Sequence, residues 1–188
     1  RPIHLLAHGI LSAFSKIVGP LGLLPAERQV AIEALAGGTT LMVFPGGDRD
    51  VSRPTSKANV IDFYGRTGYV RTALEADVPI VPMVSVGGQE TQWFLPGGDV
   101  LAKILMFNRF GRLARLPVSI GFPFGPSLGI PMNLPLPAKL TAQVLEPIHV
   151  RDEFGAEPDV TQVDEEVRRR MQLAIDVLAA ERRFPVLG

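Results

Sequence analysis

Residues 41–44, Leu-Met-Val-Phe, are apolar without alternation, the pattern of a short strand buried on both faces. Upstream, apolar positions 6, 10, 14, 17 and 18 recur at helical spacing and predict a helix over residues 5–18, ended by Gly19-Pro20-Leu21-Gly22. Pro25 stands where the first turn of a helix accepts it, ahead of a second helix over residues 26–35 that Gly37-Gly38 closes. Thr39 to Phe44 is then the strand, and Pro45-Gly46-Gly47 turns it into a loop. The unit reads helix, tight turn, buried strand, glycine loop, which is α/β in character.

Further on, residues 50–63 are polar and predict an exposed loop. Residues 69–76 predict a helix with Val70 and Leu74 inward, and residues 78–86 a strand in which Pro79 and Pro82 require an edge or a bulge. Residues 101–116 interleave Leu101, Ile104, Leu105, Phe107, Phe110, Leu113 and Leu116 with Lys103, Arg109, Arg112 and Arg115, and contain no acidic side chain. Such a segment suits a membrane interface, with Trp93 and Phe94 as anchors; the alternative is a core helix with a basic outer face. Gly111 weakens it as one continuous helix. Residues 117–140 are rich in proline and glycine and predict extended chain and turns, with Phe122, Phe124, Met132 and Leu134 available to line a groove. Residues 140–148 alternate as a last strand. Residues 163–182 predict a terminal helix with Val167, Met171, Leu173, Ala174, Ile175 and Leu178 as apolar positions and Arg168-Arg169-Arg170 solvated.

Composition narrows the class. A chain of 188 residues fits one domain with a real core. With 19 basic and 19 acidic residues the formal charge is zero, so no global field recruits nucleic acid. The absence of cysteine excludes a disulfide framework, a thiol nucleophile and thiolate metal sites, and it fits a reducing cytosol. No His/Asp/Glu cluster has metal-ligand spacing, so no metal is expected. No run reaches the roughly 18–20 apolar residues that span a bilayer, and Arg1-Pro2-Ile3-His4 does not open a signal peptide. A hydrophobic fraction of 46% leaves room for a surface that touches a membrane.

The chemistry centres on the glycine loop. Gly46 and Gly47 reach backbone conformations closed to other residues, and a loop of this kind presents N–H groups to an anion or a developing oxyanion. Arg49 adds a guanidinium fork suited to phosphate. Arg53, Lys57, Arg66 and Arg71 follow nearby, enough for a phosphate-bearing ligand such as coenzyme A or glycerol phosphate. The competing reading is an ordinary turn in which Asp48, Asp50 and Asp62 neutralise most of this charge as surface pairs.

Phe44-Pro45-Gly46-Gly47 resembles the Phe-Pro-Glu-Gly block of the glycerolipid acyltransferase superfamily, in the Gly-Gly form of its diacylglycerol-acyltransferase-like branch. Val78-Pro79-Ile80-Val81-Pro82 resembles that superfamily's Val-Pro-Ile-Val-Pro strand. Between them, Gly65-Arg66-Thr67-Gly68-Tyr69-Val70-Arg71-Thr72-Ala73 is similar to the branch's Arg-x-Gly-(aromatic)-x-(Lys/Arg)-x-Ala segment. Gly87-Gly88-Gln89-Glu90 is similar to its Gly-Gln/Glu pair. The resemblance runs from about Arg1 to the His149 region, and the order and spacing of the blocks are more specific than any one of them.

The resemblance implies a mixed, largely parallel central sheet flanked by helices, glycerol-phosphate-acyltransferase-like, as a single domain over residues 1–188. It implies transfer of a fatty acyl group from acyl-CoA to a hydroxyl of a glycerolipid or related lipid alcohol. Acyl-CoA is then a co-substrate with no further cofactor. The other implied partners are a lipid acceptor and the cytoplasmic face of a membrane. Phe44, Pro45, Gly46, Gly47, Arg49, Arg53 and Arg66 would hold substrate, and Arg28 would contact the acceptor's polar head. Arg28 reads equally as a solvated first-turn residue paired with Glu27 or Glu33. Gly46 stands where the more familiar block has glutamate, which leaves a neutral glyceride or another lipid alcohol as open as a lysophospholipid.

The superfamily's histidine and aspartate, His-x4-Asp, would supply the general base and its orienting partner. Five positions after His4, His8 and His149 stand Gly9, Ala13 and Phe154, so the pair is absent from this sequence. The expectation is that the block lies upstream of Arg1. The alternatives are a catalytically silent lipid- or acyl-CoA-binding relative, or a phosphate-ester enzyme, which would lack the Gly-x4-Gly-Lys-Ser/Thr signature.

Overall fold

The computed structural model describes residues 3–7, 22–51, 53–98, 100, 118–128 and 133–182. It divides into two compact units, one from Arg1–Pro45, Phe63–Val81 and Pro147–Glu166, the other from Gly46–Asp62, Pro82–Glu146 and Val167–Gly188. Together they make a mixed α/β protein, with small sheets in place of one large one.

The first unit is built on a parallel sheet in the order β2-β1-β3, with β1 at Ile3–Ala7, β2 at Leu23–Pro25 and β3 at Thr40–Met42. β1 sits in the middle, with Leu5 opposite both Leu23 and Met42. Helix α1 (Arg28–Ala36) carries the chain from β2 to β3, as a parallel connection requires. Residues 5–7, expected to open a helix, are therefore strand. A strand flanked on both sides needs no alternation, and periodicity cannot tell a short run of that kind from a helix. The remainder of that expected helix lies outside the described residues. Pro25 ends β2 and does not enter α1, where Glu27 is the N-cap. β3 is shorter than expected and half-buried at the edge of its sheet, and Val43 and Phe44 beyond it are exposed. Helix α3 (Gly68–Ala76) follows the shorter helix α2, described below, and packs on α1. Its Val70 is fully buried, together with Ile148 and Val163. Phe63 meets Tyr69 edge to face at 5.6 Å, and the Tyr69 hydroxyl donates to buried Asp164 at 2.8 Å.

In the second unit, α2 spans Gly47–Val51 and β4 spans Met83–Val86. β4 pairs antiparallel with β8 (Thr141–Val144). The expected strand over residues 78–86 thus forms its ladder after both prolines, which removes the need for a bulge; Ile80 makes an isolated bridge to Ile148 in the first unit. β5 (Trp93–Phe94), β6 (Val118–Gly121) and β7 (Gly125–Leu128) form an antiparallel sheet. The β6–β7 hairpin falls where only turns and extended chain were expected. Asn133 anchors it: its amide donates to the Gly125 carbonyl at 2.8 Å, and its side-chain oxygen accepts from the Phe124 N–H at 3.0 Å.

Two helices close the chain, α4 (Val150–Phe154) and α5 (Val160–Glu181). α5 gives Val163 and Asp164 to the first unit. In the second, its Ile175 and Leu178 pack on Val84 and Val86, with Met171, Ala174 and Ile61 around them. Leu173, expected on the apolar face, is exposed. Gln172 clamps the loop before Phe63 by accepting from the Ile61 N–H and donating to the Asn59 carbonyl, both at 2.9 Å. Among the described residues no helix is long and apolar enough to cross a membrane.

Candidate functional site

The glycine loop starts in the first unit and ends in the second. On the first side, β3 leads into exposed Phe44 and half-buried Pro45. Arg66, far along the chain and just ahead of α3, donates from Nη1 to the Pro45 carbonyl at 3.3 Å. Two of the segments singled out in the sequence are thus brought together, the arginine of one holding the backbone of the other. Arg28 opens α1 on the surface and pairs with Glu75 of α3, a partner neither local reading named. Both side chains are about half exposed, so the pair contributes little to stability.

On the second side, Gly46 is buried and Gly47 begins α2 with φ +57°, a value that favours glycine. An added Cβ at Gly46 would stand 2.5 Å from the Asp50 Cβ, so the first turn of α2 closes directly over this glycine. This close approach is the local reason for glycine at a position where the more familiar block has a large acidic side chain. Arg49 lies half-buried in α2.

Arg53 is buried, although the polar run around it predicted an exposed loop, and its guanidinium pairs with Asp50. Lys57, by contrast, is exposed. Burial raises the Asp50 pKa above the ordinary 3.8, Arg53 pulls it back down, and Asp62 adds a smaller upward push. Gln89, in the turn after β4, donates from Nε2 to the Asp50 carbonyl at 2.9 Å. The Gly-Gln segment and the glycine loop therefore meet in one unit. Around them the buried atoms Arg53 Nε, Gln89 Oε1 and Glu90 Oε2 have no hydrogen-bond partner. Leaving such atoms unpaired costs free energy, so each calls for a partner such as an ordered water or a ligand.

Asp50 and Gln89 are the members of this group that charge counting passed over. Asp50 was weighed only as a neutralising surface charge, and Gln89 only as part of a motif. The signal for Asp50 was its spacing, one helical turn from Gly46 and three residues before Arg53. His149 stands at the N-cap of α4 and His4 lies in β1, its Nδ1 buried without a partner. Residues 101–116 lie outside the described residues.

The architecture and this loop define a mixed α/β protein with distant homologues among proteins named for lipid synthesis. An uncharacterized protein of Mycobacterium tuberculosis is 31% identical over 158 residues, covering 82% of this chain and 42% of the relative. The mouse protein named "DGAT1/2-independent enzyme synthesizing storage lipids" is 30% identical over 135 residues, 72% of this chain and 40% of its own length. Its human counterpart is 26% identical over 166 residues, 88% and 44%. The chain thus spans less than half the length of the curated relatives it matches. No family model matches the chain, and no solved structure matches it.

Proposed function

We propose that this chain is part of a glycerolipid-type acyltransferase of the diacylglycerol-acyltransferase-like branch, built on a glycerol-phosphate-acyltransferase-like fold. It moves a fatty acyl group from acyl-CoA to a hydroxyl of a glyceride or related lipid alcohol. The acceptor oxygen attacks the thioester carbonyl, the ester forms, the C–S bond breaks, and the hydroxyl proton leaves with the coenzyme A thiol. The observation that carries this reading is the similarity, across 72% of the chain, to an enzyme named for storage-lipid synthesis. The link from Arg66 to Pro45 and that from Gln89 to Asp50 support it, because each ties a motif segment to the glycine loop.

In this reading the loop at Gly46, Gly47 and Arg49 takes the phosphates of acyl-CoA or the oxyanion of the tetrahedral intermediate. Phe44 and Pro45 border the acyl chain, with Arg66 holding their backbone. Arg53 serves by holding Asp50 under the loop, since its charge is already engaged. Arg28 meets the acceptor head only by leaving Glu75. No residue of this sequence is assigned as the general base. The enzyme works at the cytoplasmic face of a membrane, where its acceptor resides.

The test is release of free coenzyme A thiol by the full-length protein, supplied with acyl-CoA and separately with monoacylglycerol, diacylglycerol or lysophospholipid. Acceptor-dependent release is expected, reduced about tenfold or more in Gly46→Glu, which places a side chain against Asp50. Binding of acyl-CoA with no release on any acceptor would instead identify a catalytically silent relative.

A further inference from the structure

Beside the glycine loop, three buried side-chain atoms are not used by the bonds their own residues make. Arg53 pairs with the Asp50 carboxylate through Nη2, and its backbone N–H donates to the Asp50 carbonyl at 3.2 Å, which leaves the Nε–H over. Gln89 donates to that same carbonyl, an acceptor only, so its amide cannot turn round and Oε1 stays an unused acceptor. Glu90 accepts from Arg182 Nη1 at Oε1, 2.6 Å away, and leaves Oε2 over. All of these residues belong to the second unit. Arg53 Nε and Gln89 Oε1 are each separated by a single carbon from a nitrogen bonded to Asp50, and Glu90 follows Gln89 in the turn Gly88–Glu90. The turn is fixed from behind: an added Cβ at Gly87 would stand 2.1 Å from the Lys139 carbonyl oxygen, and Arg182 bonds both that oxygen, at 2.9 Å, and Glu90. Arg53 is 4% exposed, whereas Gln89 and Glu90 are half-buried, so the turn lies within reach of a ligand from the surface.

The unused atoms are two acceptors and one donor, and that inventory selects the ligand. A phosphate offers acceptors only and has the same sign of charge as Glu90. An ammonium offers donors only and has the same sign as Arg53 and Arg182. Two neighbouring hydroxyls fit: one donates to Gln89 Oε1, the other to Glu90 Oε2, and either accepts from Arg53 Nε–H. A lone hydroxyl satisfies one acceptor and leaves the other buried oxygen unpaired, which costs affinity. We propose that Arg53, Gln89 and Glu90 form a hydroxyl-binding site matched to a vicinal diol, the free end of a monoglyceride. The site favours that end over the phosphate of a lysophospholipid and over the single hydroxyl of a diglyceride. It deepens the acyl-transfer reading and rests on it only in calling the diol the acceptor; binding of the diol does not depend on turnover.

The test is calorimetric binding by the full-length protein, without acyl-CoA, of three water-soluble probes: 1-butyrylglycerol, its 2,3-dimethyl ether and 1-butyrylglycerol 3-phosphate. The diol should bind about tenfold or more tighter than either of the others. In Glu90→Gln the amide oxygen still serves Arg182 while an NH2 group replaces the unused acceptor, so the preference should disappear with acyl-CoA binding unchanged. If that variant does not fold, Gln89→Met removes the other acceptor and should have the same effect. Equal affinity for the diol and its dimethyl ether, or a preference for the phosphate, overturns the proposal and leaves ordered water as the partner of these atoms. A diol preference that survives in both variants overturns it as well, because the diol then binds elsewhere. The two readings fail separately. Diol-selective binding in a protein that releases no coenzyme A thiol on any acceptor removes acyl transfer and keeps the site, and thiol release without diol selectivity does the reverse.

Discussion

The two units handle polarity in opposite ways. In the parallel-sheet unit the apolar side chains Val70, Ile148 and Val163 are fully buried, and the ion pairs Arg28–Glu75 and Arg151–Asp77 lie outside. In the antiparallel unit, buried Arg53 pairs with Asp50 and the Arg182–Glu90 pair is largely buried, while one sheet buries Ser119 and leaves Trp93 and the hairpin residues Phe122 and Phe124 exposed. The first arrangement is what stability alone selects, because apolar burial stabilises and exposed pairs contribute little. The second loses part of that gain, which is the usual mark of surfaces and charges held for binding.

Three substitutions and one double-mutant cycle sharpen or break this contrast. The largest effect is expected in the first unit, where Ile148→Ala empties a fully buried position and should cost about 2–5 kcal/mol in denaturant unfolding. A loss below about 1 kcal/mol would mean that this core is loosely packed. Next comes Gly87→Ala, since Gly87 has φ +104° and an added Cβ would lie 2.1 Å from the Lys139 carbonyl oxygen. The positive φ alone costs about 1–3 kcal/mol, and the clash with a backbone atom adds to it.

Arg53→Met is the discriminating change. It leaves half-buried Asp50 without its partner and should lower stability by about 1–3 kcal/mol. Its pH dependence has a definite sign. Desolvation already lifts the folded-state pKa of Asp50 above 3.8, and removing Arg53 lifts it further. A raised carboxyl pKa means the folded state holds its proton longer than the unfolded one, so this group's contribution to stability falls as pH rises through that window. Melting temperatures of Arg53→Met should therefore recover towards those of the parent as pH is lowered from neutral towards 3.8. A deficit that stays constant over that range would place the role of Arg53 in packing. The smallest effect belongs to Arg28 and Glu75. A double-mutant cycle at this exposed pair should return a coupling of about 0.2–1 kcal/mol, and a larger value would overturn its reading as a surface contact.

Helices α3 and α5 were legible because one apolar stripe each packs on one side, which leaves the helical period in the sequence. β8 (Thr141–Val144) falls inside the strand expected over residues 140–148, but its residues beyond half-buried Thr141 are exposed, so the alternation there does not mark a packed face. β1 was not legible, since a strand paired on both edges, with Leu5, Leu6 and Ala7 apolar in succession, carries no period to read. The β6–β7 hairpin was hidden by its glycines and prolines, and by a reversed face that breaks the expected pairing of apolar with buried. Within the site, Phe44, Pro45, Gly46, Gly47 and Arg66 were legible as motif residues. Glu75 as the partner of Arg28, and Gln89 as the donor to Asp50, depend on contacts between residues distant in sequence.

By itself, the sequence determined the α/β alternation, the glycine loop at the end of a strand, and the order of the segments around it, because local propensity and spacing are written residue by residue. Tertiary structure alone decided which arginines keep a charge at the surface and which spend it on a neighbour. It also decided that Gly46 must be small, and that Trp93 and Phe122 face outward while Ser119 is buried. Those outcomes depend on which distant segments pack together, and pairing across a sheet or beneath a loop leaves no local trace in the chain.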